Sequence, residues 1–457
     1  MVTSVLPGSR WLALGVLCAG ALMVVLDASV VAVALPTIQD DLGFTAAGLA
    51  WVVNSYLIAF GGLLLLSGRL GDLLGRKRVF LAGLVVFTVA SLACGLATSP
   101  GLLVAARFVQ GVGGAAASAV VLGMVVTMFP EPAERTRAIG VYSFVQAAGA
   151  SIGVIAGGAL TQGVGWPWIF LVNVPIGVVT VVLAIRWVAD DPGHGHGQGL
   201  DVLGAALVTA GLSLLVFTIS HSGGWLLGTA SVALLGLFVL RQAKAAHPLL
   251  RLEIFRSRWL TGANVVMLLL VAGLFGFQFL GALYLRRVLD YSAVETSLAF
   301  LPGPVLIGVV SLILAPRVNP RAALTVGLLL VTAALLLLAR APVDGRYLVD
   351  VLPVMVLMGV GAGLTMPAVM GLAMADIPPQ GAGLASGLLN TTQQVGGAIG
   401  LAVLSTLAAS HSGEAHALLT GYHLAFLVAA AFVAAATVIA LLIPRGPSKR
   451  DGGAHGR

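Results

Sequence analysis

Between one charge cluster and the next, this sequence is a succession of uncharged apolar runs of about 20 residues, the length that carries a helix across a hydrocarbon layer about 30 Å thick. A water-soluble core does not account for them. Charged residues make up 9% of the chain and hydrophobic ones 59%, against roughly 25% charged in an average soluble domain, and the mean hydropathy is +1.05. The chain therefore reads as an all-α polytopic membrane protein embedded in a lipid bilayer. Its two cysteines, Cys18 and Cys94, fall inside apolar runs, so the sequence points to neither a disulfide framework nor a metal cluster.

Apolar windows bounded by charges, Gly and Pro place spans near 11–35, 49–67, 79–98, 101–128, 137–160, 168–188, 202–220, 225–240, 259–283, 297–315, 322–339, 348–372, 381–407 and 420–443, fourteen in all. The first follows Arg10 as a signal peptide would, but cleavage there would invert every later loop, so it is read as a retained helix. With the N-terminus inside, only Arg286, Arg287, Arg340 and Arg346 fall outside, and only Arg107 lies within a span. All the remaining Lys and Arg collect on one side, which orients both termini to the cytoplasm. The net charge of +7 is thus a topology signal rather than a nucleic-acid surface.

Two polar loops, Asp190 to Asp201 and Arg241 to Arg258, bracket a pair of spans. They divide the chain into an N-terminal six-helix bundle (1–189), an inserted helix pair with its loops (190–258), a C-terminal six-helix bundle (259–443) and a tail (444–457). The first loop contains Gly-His-Gly-His-Gly; two histidines in a glycine linker lack a metal geometry, so it reads as a spacer.

Ionisable groups inside a bilayer cost about 2.5–3.5 kcal/mol each on insertion scales, so the few present are functional candidates. Asp27 lies in span 1 and Arg107 in span 4, at depths of about 12 and 9 Å from the outer surface at about 1.5 Å per residue. Asp376 sits at the inner end of span 12, where a loop position is expected. Burial disfavours a carboxylate and a nearby guanidinium favours it, so a movable neighbour shifts such a group between protonation states. The bland alternative is a static ion pair holding two helices together.

In span 4, Arg107, Gln110, Gly111 and Gly114 share one face, and in span 5 Gln146 precedes Gly149, Gly153 and Gly157, a small-residue stripe suited to close helix packing. Further polar residues are Asn54 in span 2, Asn264 and Gln278 in span 9, and Asn390, Gln393 and Gln394 in span 13. Each must face protein or water, as an interhelical hydrogen bond or as the lining of a substrate cavity. Between spans 2 and 3, Gly68, Arg69, Gly71, Asp72, Gly75, Arg76, Lys77 and Arg78 form a turn with one carboxylate among four cations.

These motifs bring a family into view. The segment from Gly68 to Arg78 resembles the signature loop of the major facilitator superfamily, and Arg107 to Gly114 resembles its span 4 motif. The run Leu26 to Pro36 around Asp27 is similar to the span 1 motif of the fourteen-span drug:proton antiporter branch, as are Trp51 to Tyr56, Trp168 to Gly177 and Gly383 to Asn390. The resemblance implies two helical bundles rocking about a central cavity, with Asp27 and Arg107 in proton coupling. Gly68, Asp72, Gly75, Arg76 and Arg78 would form a cytoplasmic latch. The cavity would draw on Asn54, Gln110, Gln146, Asn264, Gln278, Asn390 and Gln394. The chain departs from the branch at Val154, where a Pro is usual after Gly153, at Pro167 before Trp168, and at Gln393 where Arg is common.

The expected activity is proton-driven antiport exporting small amphipathic drugs or antibiotics by a monomer. Uptake symport and export of an endogenous metabolite are alternatives on the same fold. No Gly-x-x-x-x-Gly-Lys-Ser/Thr phosphate loop is present, so an ion gradient rather than ATP is the expected energy source; the resemblance implies that it is the proton gradient, and no cofactor and no metal are expected. One charge crossing 100 mV is worth about 2.3 kcal/mol, enough for useful efflux. A membrane-embedded enzyme such as a prenyltransferase would need clustered aspartates, and the pairs Asp40-Asp41 and Asp190-Asp191 stand alone in loops.

Overall fold

The computed structural model describes residues 7–190, 201–220, 225–246, 248–250, 252–374, 382–410 and 415–443. The Gly-His-Gly-His-Gly linker, Asp191, Arg251, Asp376 and the tail from 444 onward lie outside the described residues. Every regular element described is helical. In chain order these are α1 (Pro7–Leu42), α2 (Trp51–Leu74), α3 (Arg76–Gly95), α4 (Pro100–Met128) and α5 (Pro132–Gly163). Then come α6 (Trp168–Trp187), α7 (Val202–Ser220), α8 (Trp225–Lys244) and α9 (Arg258–Arg287). The last are α10 (Ala293–Leu314), α11 (Pro320–Leu338), α12 (Tyr347–Ala373), α13 (Ala382–Ala409) and α14 (Ala415–Leu442). Twelve of them, all but α5 and α13, are long and apolar enough among the described residues to cross a membrane. The sequence expectation was fourteen spans; α5 and α13 are helices of 32 and 28 residues.

Local chemistry sets the ends. Ser99 caps α4, its hydroxyl accepting from the Leu102 amide, with Pro100 in the first turn where its missing N–H costs nothing. Ser292 and Glu295 form a reciprocal capping box at the start of α10. The helix containing Asp27 runs past the expected stop at Pro36 and ends at Gly43, whose φ of 70° breaks the helical path. α5 contains no internal Pro and is one unbroken helix, with Val154 buried, as the Val154 departure from the family motif implies.

Glycines bring helix backbones together, and the same arrangement recurs in both parts of the chain. A Cβ on Gly113 of α4 would lie 2.4 Å from the Phe87 nitrogen of α3, and one on Gly83 of α3 would lie 2.4 Å from the Ala117 nitrogen. In α11 and α12 the counterparts are Gly327 and Gly361, each of whose Cβ would crowd the other's carbonyl oxygen, at 2.6 and 2.7 Å. Likewise Gly149, Gly153 and Gly157 of α5 pack on Leu22, Leu26, Ser29 and Val30 of α1, as Gly396 and Gly400 of α13 pack on Leu268 and Ala272 of α9. Without a hydrophobic force between helices in lipid, such close approach supplies the association energy.

α7 packs against α2 and α13, and α8 packs against α7. The inner end of the pair is tied by Asp201, a buried residue just before α7. One oxygen of its carboxylate accepts from the Gly204 amide at 2.9 Å and Arg241 Nε at 3.0 Å. The other accepts from Gln242 Nε2 at 2.7 Å, and Gln242 in turn accepts from the Leu250 amide. Burial pushes this carboxyl up, but the hydrogen bonds from Gly204, Arg241 and Gln242 outweigh it and hold Asp201 below the usual carboxylate range.

Candidate functional site

Asp27, on α1, is 1% exposed, and its carboxylate is met by donors from two other helices. Oδ2 accepts from Arg107 Nη1 at 2.5 Å; Oδ1 accepts from Gln110 Nε2 at 2.8 Å and from Asn173 Nδ2 at 3.0 Å. Arg107 and Gln110 reach it together because they stand one turn apart on α4, and Gln110 Oε1 accepts a bond from Arg107 Nη1 at 2.6 Å. The guanidinium also donates through Nε to the Val52 carbonyl of α2 at 3.0 Å. It lies over the Tyr56 ring, 4.4 Å from the centroid, a cation–π contact in a desolvated setting. Gly111 permits this, since a Cβ there would fall 2.5 Å from the Tyr56 carbonyl oxygen.

A second layer locks Gln110. Its Nε2 donates to Ser91 Oγ at 2.8 Å, and Cys94 Sγ approaches its Oε1 at 3.6 Å, both from α3. Five helices therefore converge on one carboxylate. Ser91 was not singled out from the sequence, and Asn173 entered only as part of the Trp168 to Gly177 motif, without a role of its own. Asn173 carried a signal, an amide two residues before Pro175 in an apolar span; Ser91 carried none, since a serine in a membrane helix usually bonds its own backbone, as Ser91 also does to Phe87.

At the cytoplasmic turn between α2 and α3, Gly75 adopts φ 98°, a conformation only glycine takes readily. Arg76 donates to Asp72 Oδ1 at 3.0 Å and to the Gly123 carbonyl of α4 at 3.0 Å, so the turn is bolted to α4. Gly68 is free of close contacts and Arg78 is exposed. Lys77, which sequence reasoning treated as part of a charge cluster, is buried. Its ammonium donates to the Ile185 carbonyl at the end of α6 at 3.2 Å and pairs with Asp190 at 2.9 Å. Hydrogen bonding and charge from Lys77 hold the exposed Asp190 carboxyl below the usual carboxylate range.

The residues expected to line a cavity occupy different settings. Gln110 is fully buried in the Asp27 network rather than facing a cavity, because Asp27, Arg107 and Ser91 consume its amide. Asn264 is also buried, donating to Leu260 of its own helix and accepting from Thr392 of α13, so it joins α9 to α13. Asn54 is fully buried on α2 with no protein partner among the described residues. Gln394 packs where Gly61 lets α2 meet α13, Gln146 donates to the Tyr142 hydroxyl at 3.0 Å, and Gln278 and Asn390 are half-buried.

The two parts of the chain are tied at their outer ends. Arg287 of α9 pairs with Asp40 of α1, Arg286 donates to the Thr37 hydroxyl at 3.2 Å, and the Val294 amide donates to Gln162 at 3.3 Å. Beneath them lies a cavity of about 350 Å³ bordered by Asp40, Phe44, Phe279, Leu283, Arg287 and Tyr422. The described aspartates of the two pairs have structural partners: Asp40 as above, Asp41 with the Trp166 indole at 2.7 Å, and Asp190 with Lys77.

Apolar helices gathered around an ion-paired, buried carboxylate, with a glycine-hinged basic turn at one end, define a multi-pass membrane transporter rather than an enzyme. The chain belongs to the Major Facilitator Superfamily, whose family model matches residues 17–401. It is 39% identical over 411 residues to the puromycin resistance protein pur8 of Streptomyces alboniger, covering 87% of this chain and 82% of that one. It is 39% identical over 449 residues to the cephamycin export protein CmcT of Amycolatopsis lactamdurans, covering 94% and 92%. These relatives, with a tetracenomycin C resistance and export protein of Streptomyces glaucescens at 35% identity, place it among antibiotic resistance and export transporters of the bacterial inner membrane. The fold is shared with a solved bacterial homolog of the human lysosomal transporter Spinster at a TM-score of 0.69 and 16% identity, covering 96% of this chain and 98% of that one.

Proposed function

We propose that this chain is a proton-coupled antiporter that exports small amphipathic molecules, antibiotics among them, by alternating access. The observation that carries the proposal is Asp27, buried within the span and paired with Arg107. Carboxylates within membrane spans are rare and mark functional sites, proton relays among them. In this reading α5 and α13 also cross the membrane. That makes fourteen spans: a bundle over 1–189, an inserted pair within 190–258, a second bundle over 259–443, and a tail over 444–457. The recurrence of the glycine contacts between α3 and α4 in α11 and α12 supports the two-bundle division.

Protonation of Asp27 removes its charge and releases Arg107 to its other partners, the Val52 carbonyl and the Tyr56 ring. The turn at Gly68, Asp72, Gly75, Arg76 and Arg78 is the cytoplasmic latch. Asn54, Gln146, Gln278, Asn390 and Gln394 are the side chains proposed to meet substrate as the bundles part. Gln110 belongs with the proton site.

Replacing Asp27→Asn tests this. Transport driven by an imposed pH gradient in reconstituted vesicles is expected to fall to background while the protein remains in the membrane. Unchanged transport would remove Asp27 from the mechanism. A second reading, export of a self-made compound, is favoured by relatives named for cephamycin export and actinorhodin transport. A resistance panel in a pump-deficient host, set beside metabolite release from the source strain, separates the two.

A further inference from the structure

Three side chains donate to the Asp27 carboxylate, and they differ in what they can do once it takes up a proton. Arg107 has five donors and no acceptor, so it cannot receive a hydrogen bond from a carboxylic acid. Gln110 is fixed at both ends: its nitrogen serves Asp27 and Ser91, and its oxygen accepts from Arg107 and lies against Cys94. Asn173 alone makes a single bond, from Nδ2 to Oδ1 of Asp27, and its amide oxygen accepts from none of the described residues. It is 1% exposed, so it serves Asp27 within the protein rather than water.

Asn173 also stands near the start of α6, where the backbone stays helical through Val172. The helical pieces Trp168–Leu171 and Asn173–Trp187 meet at Val172, and Pro175 leaves the first turn of the second piece without one N–H. α6 is anchored again at its inner end by Lys77 on the Ile185 carbonyl.

Resting on the proton-coupling role of Asp27, we infer that Asn173 is the positioning residue that serves both protonation states of this carboxyl. With Asp27 ionised, the Asn173 amide donates to Oδ1, as in the structure. When a proton binds, a half-turn of the amide presents its oxygen, and the new O–H donates to it. The acid is thereby held between α1 and α6 while Arg107 is freed. No bond other than the O–H forms, and the proton returns by the reverse rotation. Among the described residues, the titratable groups facing this cluster are Arg107 of α4, Cys94 of α3 and Tyr56 of α2, and α5 packs Gly149, Gly153 and Gly157 against α1.

The test is infrared difference spectroscopy of the full-length protein in lipid, following the carbonyl band of the protonated carboxyl as pH is lowered. The band should vanish in Asp27→Asn; a band that persists there rejects the Asp27 reading itself. In Asn173→Leu the acid loses its acceptor, and the band should move to higher wavenumber. Proton-driven ethidium transport should fall by about tenfold, the worth of one buried hydrogen bond. Asn173→Ser, which keeps a donor and an acceptor, should hold the band near its original place. Asn173→Ala, too small to clash, is read the same way as the Leu variant if that one fails to fold. An Asp27-dependent band that stays in place in both the Leu and Ala variants overturns the inference.

Discussion

Replacing Arg107→Leu removes several interactions at once, a cation–π contact with Phe170 at 5.6 Å among them. Asp27 loses the guanidinium on Oδ2, the Val52 carbonyl loses its extra donor, Gln110 Oε1 loses its donor at 2.6 Å, and the Tyr56 face loses its cation. Breaking a buried ion pair by deleting one partner costs about 3–5 kcal/mol, because the other charge is left uncompensated. Gln110 and Asn173 still donate to the carboxylate, which favours the lower end of that range. Deleting Asp27 as well removes the stranded charge. The double variant Asp27→Asn with Arg107→Leu is therefore expected to be more stable than Arg107→Leu alone, with a coupling energy of about 1.5–3 kcal/mol. Equilibrium unfolding in mixed micelles, read on the four variants of the cycle, measures this. A cost below about 1 kcal/mol for Arg107→Leu, the worth of an exposed pair, together with additivity in the cycle, would refute the placement of Asp27 and Arg107 as a desolvated pair.

Other consequences follow from contacts elsewhere. Gly113→Val should destabilise the α3–α4 packing by about 1–3 kcal/mol through overpacking, as its Cβ would meet the Phe87 backbone at 2.4 Å; Gly101→Val, with nothing near it, should be neutral in the same unfolding assay. Because the Asp201 carboxyl is held low, its stabilisation is present above the unfolded value of about 3.9 and is lost as pH falls through the folded value. Protease protection of the α7–α8 pair should therefore fall at acid pH, and Asp201→Asn should lose that dependence. Asp40→Arg should loosen the outer closure by a few-fold, as expected of an exposed ion pair worth about 0.2–1 kcal/mol. Adding Arg287→Asp should restore it, read by labelling of a cysteine placed at Phe279.

How much of the site could be read beforehand depended on how far each signal travels along the chain. The Arg107 and Gln110 pairing is a helix-period relation within α4, and the expected depth match with Asp27 needed only rise per residue. Both came from local geometry. Asn173, Ser91 and the Val52 carbonyl come from three other helices, and no spacing relates them to Asp27. The place of Gln110 beside Asp27 was illegible for the same reason: a polar residue on a small-residue face has the same appearance whether its neighbour is a substrate or a carboxylate on another helix. Lys77 was hidden inside a run of cations in which only the packing of α6 selects the buried one.

The sequence by itself determined that this chain lives in a membrane as a succession of apolar helices, because hydrocarbon thickness acts on each segment separately. It also determined that one carboxylate would stand in the apolar layer. Only the tertiary structure decided what that carboxylate touches. Hydrogen bonds to it come from residues 80 to 146 positions away along the chain, brought within 3 Å by glycine contacts whose partners are chosen in three dimensions.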